Sequence, residues 1–491
     1  MTQTFSYLFT FVIYFLLIAI LCFIANKRND KLSNYMLGGR HLSGPVTALG
    51  AGASDMSGWL LLALPGTIFV NGLNQIWMPI GLFVGAYLNW IFISPRLRTY
   101  TEIANNALTI PAYLDHRFRD NSTLLRAFTA IVVLIFFTFY SAAGFVSGAL
   151  LFKVAFHLDY HTALWVGAII VMLYTAVGGF LAINWIDFFQ GTLMFFALLI
   201  TPIVTYSHLD DTMNLFHTLA QNTAGYFNPT ANITLIGIFS LLGWGLGYFG
   251  QPHILMRFMA VRSVKELPIA RQICMTWMGL SLLGAILTGL FGHAYFLQGV
   301  TNPEEVFLKL SRELFAPILT GVLLSAVLSA MMSTVSAQLL AASSALTADF
   351  YARFFRRQAS QKELVIVGRC GVIFIAFVAI YLASNPTGSI LELVSYAWGG
   401  LGAAFGPIIL LSLFWKRTTH KAAIVGIFTG TLTVIVWKLF MFPLGGWFAI
   451  YEIIPGFVLA SAAIIGTSLM DKIPSQNMYQ EFEEAKTAAD V

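Results

Sequence analysis

The sequence predicts an all-α polytopic membrane protein with thirteen transmembrane helices, two of them discontinuous, ten forming an inverted repeat of five plus five. Three observations carry this. Hydrophobic residues fill 58% of the 491 positions and charged residues only 10%, whereas soluble domains carry about 25% charged residues. Apolar runs long enough to cross a bilayer, about 20 residues each, recur from end to end. Two of these runs are broken by glycine-rich segments, Gly50-Ala51-Gly52-Ala53-Ser54-Asp55-Met56-Ser57-Gly58 and Gly243-Trp244-Gly245-Leu246-Gly247-Tyr248-Phe249-Gly250-Gln251-Pro252. In lipid every backbone N–H and C=O needs a partner, so unwound chain survives only inside protein or beside a watery cavity.

The runs are 5–25, 43–71, 75–95, 125–152, 161–178, 180–206, 231–257, 272–297, 315–347, 364–383, 388–415, 422–443 and 448–470. The first is no cleaved secretion signal, because Lys27 and Arg28 follow its apolar stretch instead of preceding it. Basic residues fix the count. With the N-terminus outside, all of the 27 Lys and Arg except Lys153, Lys309, Arg312 and Lys438 fall on one side, Arg257 among them. That side is cytoplasmic by the positive-inside rule, and one span more or fewer would scramble the pattern downstream. The net charge of +5 therefore reports topology, and nucleic acid is not an expected partner. Cys22, Cys274 and Cys370 lie far apart without CxxC spacing and read as small apolar residues.

The chain reads as one membrane domain, 1–491, bound to the lipid bilayer, with no soluble insertion and no obligate protein partner evident. Residues 5–25 form an extra N-terminal helix, 422–470 two C-terminal helices and 471–491 a polar cytoplasmic tail, loosely ordered. Between them lie 43–206 and 231–415, five spans each. Five is odd, so the second half enters from the opposite face, after an external loop holding Asp210, Asp211 and Asn228. Each break falls in the first helix of its half, the arrangement that marks the binding site of a secondary transporter. Residues 99–119 read as a short amphipathic cytoplasmic helix, and 207–230 and 298–314 as external segments able to form small lids.

Unwinding near Ala53 to Met56 frees carbonyl oxygens, and a hard cation such as Na⁺ prefers oxygen. Ser325, Ser329 and Ser333 share one helical face, with Thr334 adjacent. Small residues also let helices pack closely, which is the better reading of Ser325 and Ser329; Ser333 and Thr334 suit an ion site. Trp244, Tyr248 and Phe249 among four glycines offer flat walls with polar edges for a small, partly apolar zwitterion, or else a packing cluster. Gly245 to Gly250 matches G-x-G-x-x-G but follows no strand, which excludes dinucleotide binding. No Walker A or HExxH sequence occurs, so the protein reads as no enzyme, and an ion gradient is the remaining energy source. Acids inside spans are functional candidates by default: Asp55 sits in the break, Asp187 near the start of the sixth span, and Glu392 and Glu452 near outer ends within reach of water. Histidines, His253 included, are placed at span ends or loops, which speaks against a buried proton relay.

Tyr35-Met36-Leu37-Gly38-Gly39-Arg40, Ala51 through Trp59, Tyr174-Thr175-Ala176-Val177-Gly178-Gly179, Gly243 through Pro252 and Met332-Ser333-Thr334 together resemble the solute:sodium symporter family over nearly the whole chain, most closely its bacterial proline-transporting branch. The resemblance implies a leucine-transporter-type core, uptake of L-proline driven by the sodium gradient, and residence in the bacterial inner membrane. It implies a Na⁺ site from the carbonyls of Ala53, Met56 and Ala330 and the hydroxyls of Ser333 and Thr334. Substrate contacts would fall on Ser57, Gly58, Trp59, Tyr140, Trp244, Tyr248 and Pro252, with Asp55, Asp187 and Arg40 in coupling or gating. The rivals are a sodium- or proton-coupled transporter of another small amino acid or organic solute, and a membrane sensor, which would need an output domain.

Overall fold

A computed structural model describes residues 3–26, 31–119, 123–209, 224–385 and 388–489. Lys27, Arg28, Asp210 and Asp211, and most of the 207–230 segment, lie outside them. The described residues are helical, with one isolated parallel bridge between Leu42 and Val261. In order they form α1 (Gln3–Asn26), α2 (Leu32–Leu37), α3 (Gly44–Asp55), α4 (Trp59–Gln75), α5 (Trp77–Ile103), α6 (Ile110–Phe118), α7 (Leu124–Phe156), α8 (Tyr160–Ser207) and α9 (Leu235–Gly250). Then come α10 (Pro252–Ala260), α11 (Val264–Tyr295), α12 (Val306–Leu314), α13 (Pro317–Phe355), α14 (Gln361–Ala383), α15 (Ile390–Phe414), α16 (His420–Leu444), α17 (Ile453–Met470) and α18 (Gln476–Ala489). Among the described residues ten helices are long and apolar enough to cross a membrane, or eleven if the bent pair α3 and α4 is one span.

Composition explains both faces of these helices. Along α1, Tyr7, Phe11, Tyr14 and Ile18 are buried while Phe5, Phe9, Val12, Leu16 and Ile20 are exposed, so one stripe meets protein and an equally apolar stripe is left for lipid. Helix starts are set by polar caps: the side chains of Thr109, Asp159, Thr234, Ser360, Ser389 and Thr419 each accept a first-turn N–H. At the centre runs α13, rich in Ala and Ser, with every residue from Leu323 to Ala345 buried. It packs on α1, α7 and α8 and touches α3.

The α8 segment spans 48 residues, about 70 Å if straight at 1.5 Å per residue, more than twice a bilayer core. It is not straight. Gly179 takes φ 66°, ψ −173°, a conformation open essentially to glycine alone, and the chain doubles back. Before the corner, Tyr174 donates to the Met332 carbonyl (2.6 Å); after it, Gln190 donates to the Tyr14 hydroxyl (2.7 Å), which also accepts from Ser329 (2.9 Å). Both arms thus return to the same stretch of α13.

Glycines set a second close approach. A Cβ on Gly85 would lie 2.2 Å from the Gly245 carbonyl oxygen, and one on Gly245 would lie 2.2 Å from that of Gly81, so α5 meets α9 main chain to main chain. Gly85→Ala is expected to destabilise the protein by about 1–3 kcal/mol through overpacking, read as a lower melting temperature of the purified protein. An unchanged melting curve would show that the seam opens freely.

Two expectations are corrected. Residues 99–119 are not one helix: α5 continues to Ile103, Asn105 and Asn106 turn the chain at positive φ, and α6 restarts at its Thr109 cap with Pro111 in the first turn. The tail is not loosely ordered. In α18 the residues Met478, Phe482 and Ala485, at helical spacing, are buried. Phe482 lies 6.5 Å from the Tyr100 ring and 5.4 Å from the Arg117 guanidinium, while Glu481 pairs with Arg119 and Glu483 with Lys416. The 298–314 segment carries α12, whose Val306 and Leu310 pack with Phe69 of α4.

Candidate functional site

The first break lies between α3 and α4, whose axes differ by 62°. Met56 still donates its N–H to the Gly52 carbonyl (3.0 Å), but Ser57 turns its N–H to Asp55 (2.9 Å). A continuing helix would have given that donor to Ala53. The displaced Ala53 carbonyl instead accepts from Ser333 Oγ (2.8 Å) and Thr334 Oγ1 (3.5 Å), and Ser333 also reaches the Ala330 carbonyl (3.2 Å). Four of the five expected ion ligands therefore meet at one point, and Met56, buried, caps the helix end beside them. Among the described residues no three His, Cys, Asp or Glu side chains converge as a metal site. The oxygen set at Ala53 is neutral, which suits a hard monovalent cation.

The second break joins α9 to α10. Gly243–Gly250 winds as a tight 3₁₀ turn, Gln251 is extended (φ −89°, ψ 104°), and Pro252 opens α10, where its missing N–H costs nothing. Trp398 of α15 holds this segment: its indole N–H donates to the Trp244 carbonyl (2.8 Å), and its own carbonyl accepts from Gln251 (3.1 Å). A Cβ on Gly247 would lie 1.9 Å from the Trp398 indole nitrogen, so glycine is required there.

The breaks are tied together, because the Tyr248 hydroxyl donates to the Asp55 carboxylate. Trp59 donates its indole N–H to the Asp55 carbonyl (3.3 Å) and its backbone N–H to Ser57 Oγ (3.5 Å). Gly58 lies against α7, where a Cβ would come 2.6 Å from Ser147. Tyr140, also on α7, is buried with a hydroxyl lacking any partner, its ring 6.1 Å from that of His253, next to Pro252. Trp244 packs its ring 5.3 Å from that of Tyr451 and lines a cavity beside it.

Asp187 and Arg40 stand apart from the Ala53 oxygens. Asp187 pairs with Arg257 at 3.0 Å, both fully buried, and Arg257 also donates to the His253 carbonyl (2.7 Å). Three expectations change here. Arg257 is no loop charge but the counter-ion of Asp187; apolar Phe258-Met259-Ala260-Val261 after it was the available signal. His253 is no span-end histidine but fully buried, with both ring nitrogens lacking partners. Glu452 does not reach water, being 2% exposed. Arg40 serves the face that carries most basic residues, donating to Asn106 (2.7 Å), Thr101 (3.2 Å) and the carbonyls of Met259 (2.6 Å) and Ala107 (2.9 Å). Beside it Leu42 donates to Ala260 (3.2 Å) and accepts from Arg262 (3.0 Å), closing that end between α3 and α10.

Two interrupted helices, joined inside an apolar bundle through the Asp55 carboxylate, with the freed Ala53 carbonyl held by α13, define a membrane transporter. The chain belongs to the sodium:solute symporter family, whose model matches residues 35–430. A sodium/proline symporter of Escherichia coli (strain K12) is 49% identical over 485 residues, 97% of this chain and 96% of that protein. The high-affinity proline transporter PutP of Bacillus subtilis (strain 168) is 50% identical over 465 residues, 94% and 98% of the two chains. The solved structure of a Na⁺-coupled sialic acid symporter in a substrate-bound outward-open state matches the fold with a TM-score of 0.82 at 18% identity, covering 97% of this chain and 99% of that one.

Proposed function

We propose that this protein carries L-proline into the cell together with Na⁺, by alternating access. The observation that carries this is the Ala53 carbonyl, released by Ser57 and met by Ser333 at 2.8 Å, beside relatives named for sodium and proline. Na⁺ is held by the carbonyls of Ala53, Met56 and Ala330 and the hydroxyls of Ser333 and Thr334. Its arrival fixes α3 to α13, sets the break and so shapes the substrate pocket beside it. The proline carboxylate meets the first turn of α4 at Ser57, Gly58 and Trp59, where the dipole of the helix start favours an anion. The pyrrolidine ring rests among Trp59, Tyr140, Tyr248, Pro252 and Trp244. Asp55, through Tyr248, couples the two breaks, with Asp187 and Arg40 acting in ion exit and gating.

The architecture follows thirteen spans, counting α3 with α4 and α9 with α10 as one each and the two arms of α8 separately. Residues 43–206 and 231–415 form the inverted repeat of a leucine-transporter-type core. The Arg40 face is cytoplasmic, the N-terminus is outside, and the membrane is the bacterial inner membrane. One Na⁺ at 100 mV and a tenfold gradient supplies about 3.7 kcal/mol, enough for accumulation of several hundredfold.

The test is labelled proline uptake into proteoliposomes under an inward Na⁺ gradient with the proton gradient collapsed. Accumulation is expected, and none would overturn sodium coupling. Trp244→Leu is expected to weaken proline binding about tenfold, since an aromatic face contributes about 0.5–1.5 kcal/mol beyond its area, at undiminished expression. Unaltered affinity would return Trp244 to packing.

A further inference from the structure

Helix α1 stands outside both five-helix halves, yet it sends one polar group into the bundle beside the ion site. Its Tyr14 is buried between α8 and α13. The phenol oxygen accepts from Gln190 Nε2 of α8 (2.7 Å) and from Ser329 Oγ of α13 (2.9 Å), and donates to the Met332 sulfur (3.6 Å). A tyrosine hydroxyl has one donor and two lone pairs, so this one is fully used. Gln190 has no substitute for it: the amide is fully buried, and its Oε1 already lacks a partner.

The two residues it holds stand behind Ala53. Ser329 lies one turn before Ser333 on the same face of α13, and Ser333 Oγ meets the Ala53 carbonyl at 2.8 Å. Gln190 precedes Gly191, where a Cβ would come 3.1 Å from that of Ala53, so α8 presses on α3 at the same residue. One hydroxyl thus fastens both walls against which the freed carbonyl is set. Packing alone would need only a phenyl ring there, whereas two converging donors fix the distance between α8 and α13. We infer that Tyr14 is a positioning residue for the coupling ion, through which the extra N-terminal helix sets sodium affinity. Without the hydroxyl, α13 loses its tie to α8 and the Ser333 oxygen is held less closely to Ala53. The ion cage loosens, while the proposed proline contacts, carried by the two breaks and α7, stay in place.

The inference rests on the sodium reading. Its test is labelled proline uptake into proteoliposomes, measured against Na⁺ at fixed proline and against proline at saturating Na⁺. Tyr14→Phe is expected to raise the Na⁺ concentration for half-maximal uptake roughly three- to tenfold, the effect of about one lost hydrogen bond. The half-maximal proline concentration at saturating Na⁺ stays as in wild type. Tyr7→Phe removes another buried phenol hydroxyl from α1, about two turns away, and is expected to follow the wild-type curves. Should Tyr14→Phe be absent from the membrane, Ser329→Ala, which leaves α1 intact, takes its place with a shift in the same direction. A wild-type sodium curve in the deciding variant, an equal loss of sodium and proline affinity, or the same shift in Tyr7→Phe overturns the inference and leaves sodium coupling standing. Wild-type uptake that ignores Na⁺ overturns the sodium reading, and the inference with it.

Discussion

Ser333→Ala and Thr334→Ala are each expected to raise the Na⁺ concentration for half-maximal uptake by roughly 10- to 100-fold. A hydrogen-bonding group facing a charge contributes about 1.5–3 kcal/mol, and each 1.4 kcal/mol is tenfold. The Ser333 hydroxyl lies 2.8 Å from the Ala53 carbonyl and the Thr334 hydroxyl 3.5 Å, so the serine change is the more damaging. Proline affinity at saturating Na⁺ moves much less, because neither hydroxyl touches the proposed ring pocket. Thr334→Ser keeps the oxygen and restores near-normal sodium dependence. Uptake measured against Na⁺ at fixed proline checks this, and unchanged curves in both alanine variants would dismantle the ion site.

Arg257→Leu is expected to lose most folded protein. It strands Asp187, which is 0% exposed, and removing one partner of a buried ion pair costs about 3–5 kcal/mol. It also unties α8 from α10 and removes the donor to the His253 carbonyl. The double variant Arg257→Met with Asp187→Leu is expected to recover folding, because an apolar pair of similar size avoids the stranded charge. Membrane abundance and melting temperature report the first effect. Sodium-driven uptake by the recovered double variant then separates a structural pair from a working one: full transport would remove Asp187 from the gating scheme.

What could be read from the residues, and what could not, divides along physical lines. Both breaks were legible because lipid punishes unpaired main chain, so glycine within an apolar run has few innocent readings. The Ser333–Thr334 pair stood out for the same reason, as hydroxyls facing a place where carbonyls come free. Arg257 was misplaced because topology counting treats each basic residue as a loop charge, and only its partner, 70 positions away, reveals otherwise. His253 and Glu452 were misjudged likewise: distance from a span end says nothing of what a neighbouring helix covers. The tail misled because α18 looks charged overall, and its three buried residues acquire meaning only with Tyr100 and Arg117 to receive them. Trp398 gave no signal, being one tryptophan in an aromatic-rich chain, yet it holds the second break through two hydrogen bonds.

The seam at Gly81, Gly85 and Gly245 bears on how such a molecule moves. Helices separated by long side chains can shear, since each side chain has other rotamers to try. Bare peptide planes in direct apposition have none. Helix α5, from the first half of the chain, and α9, from the second, must therefore travel as a single rigid plate, and any rocking has to be accommodated along surfaces where larger side chains intervene.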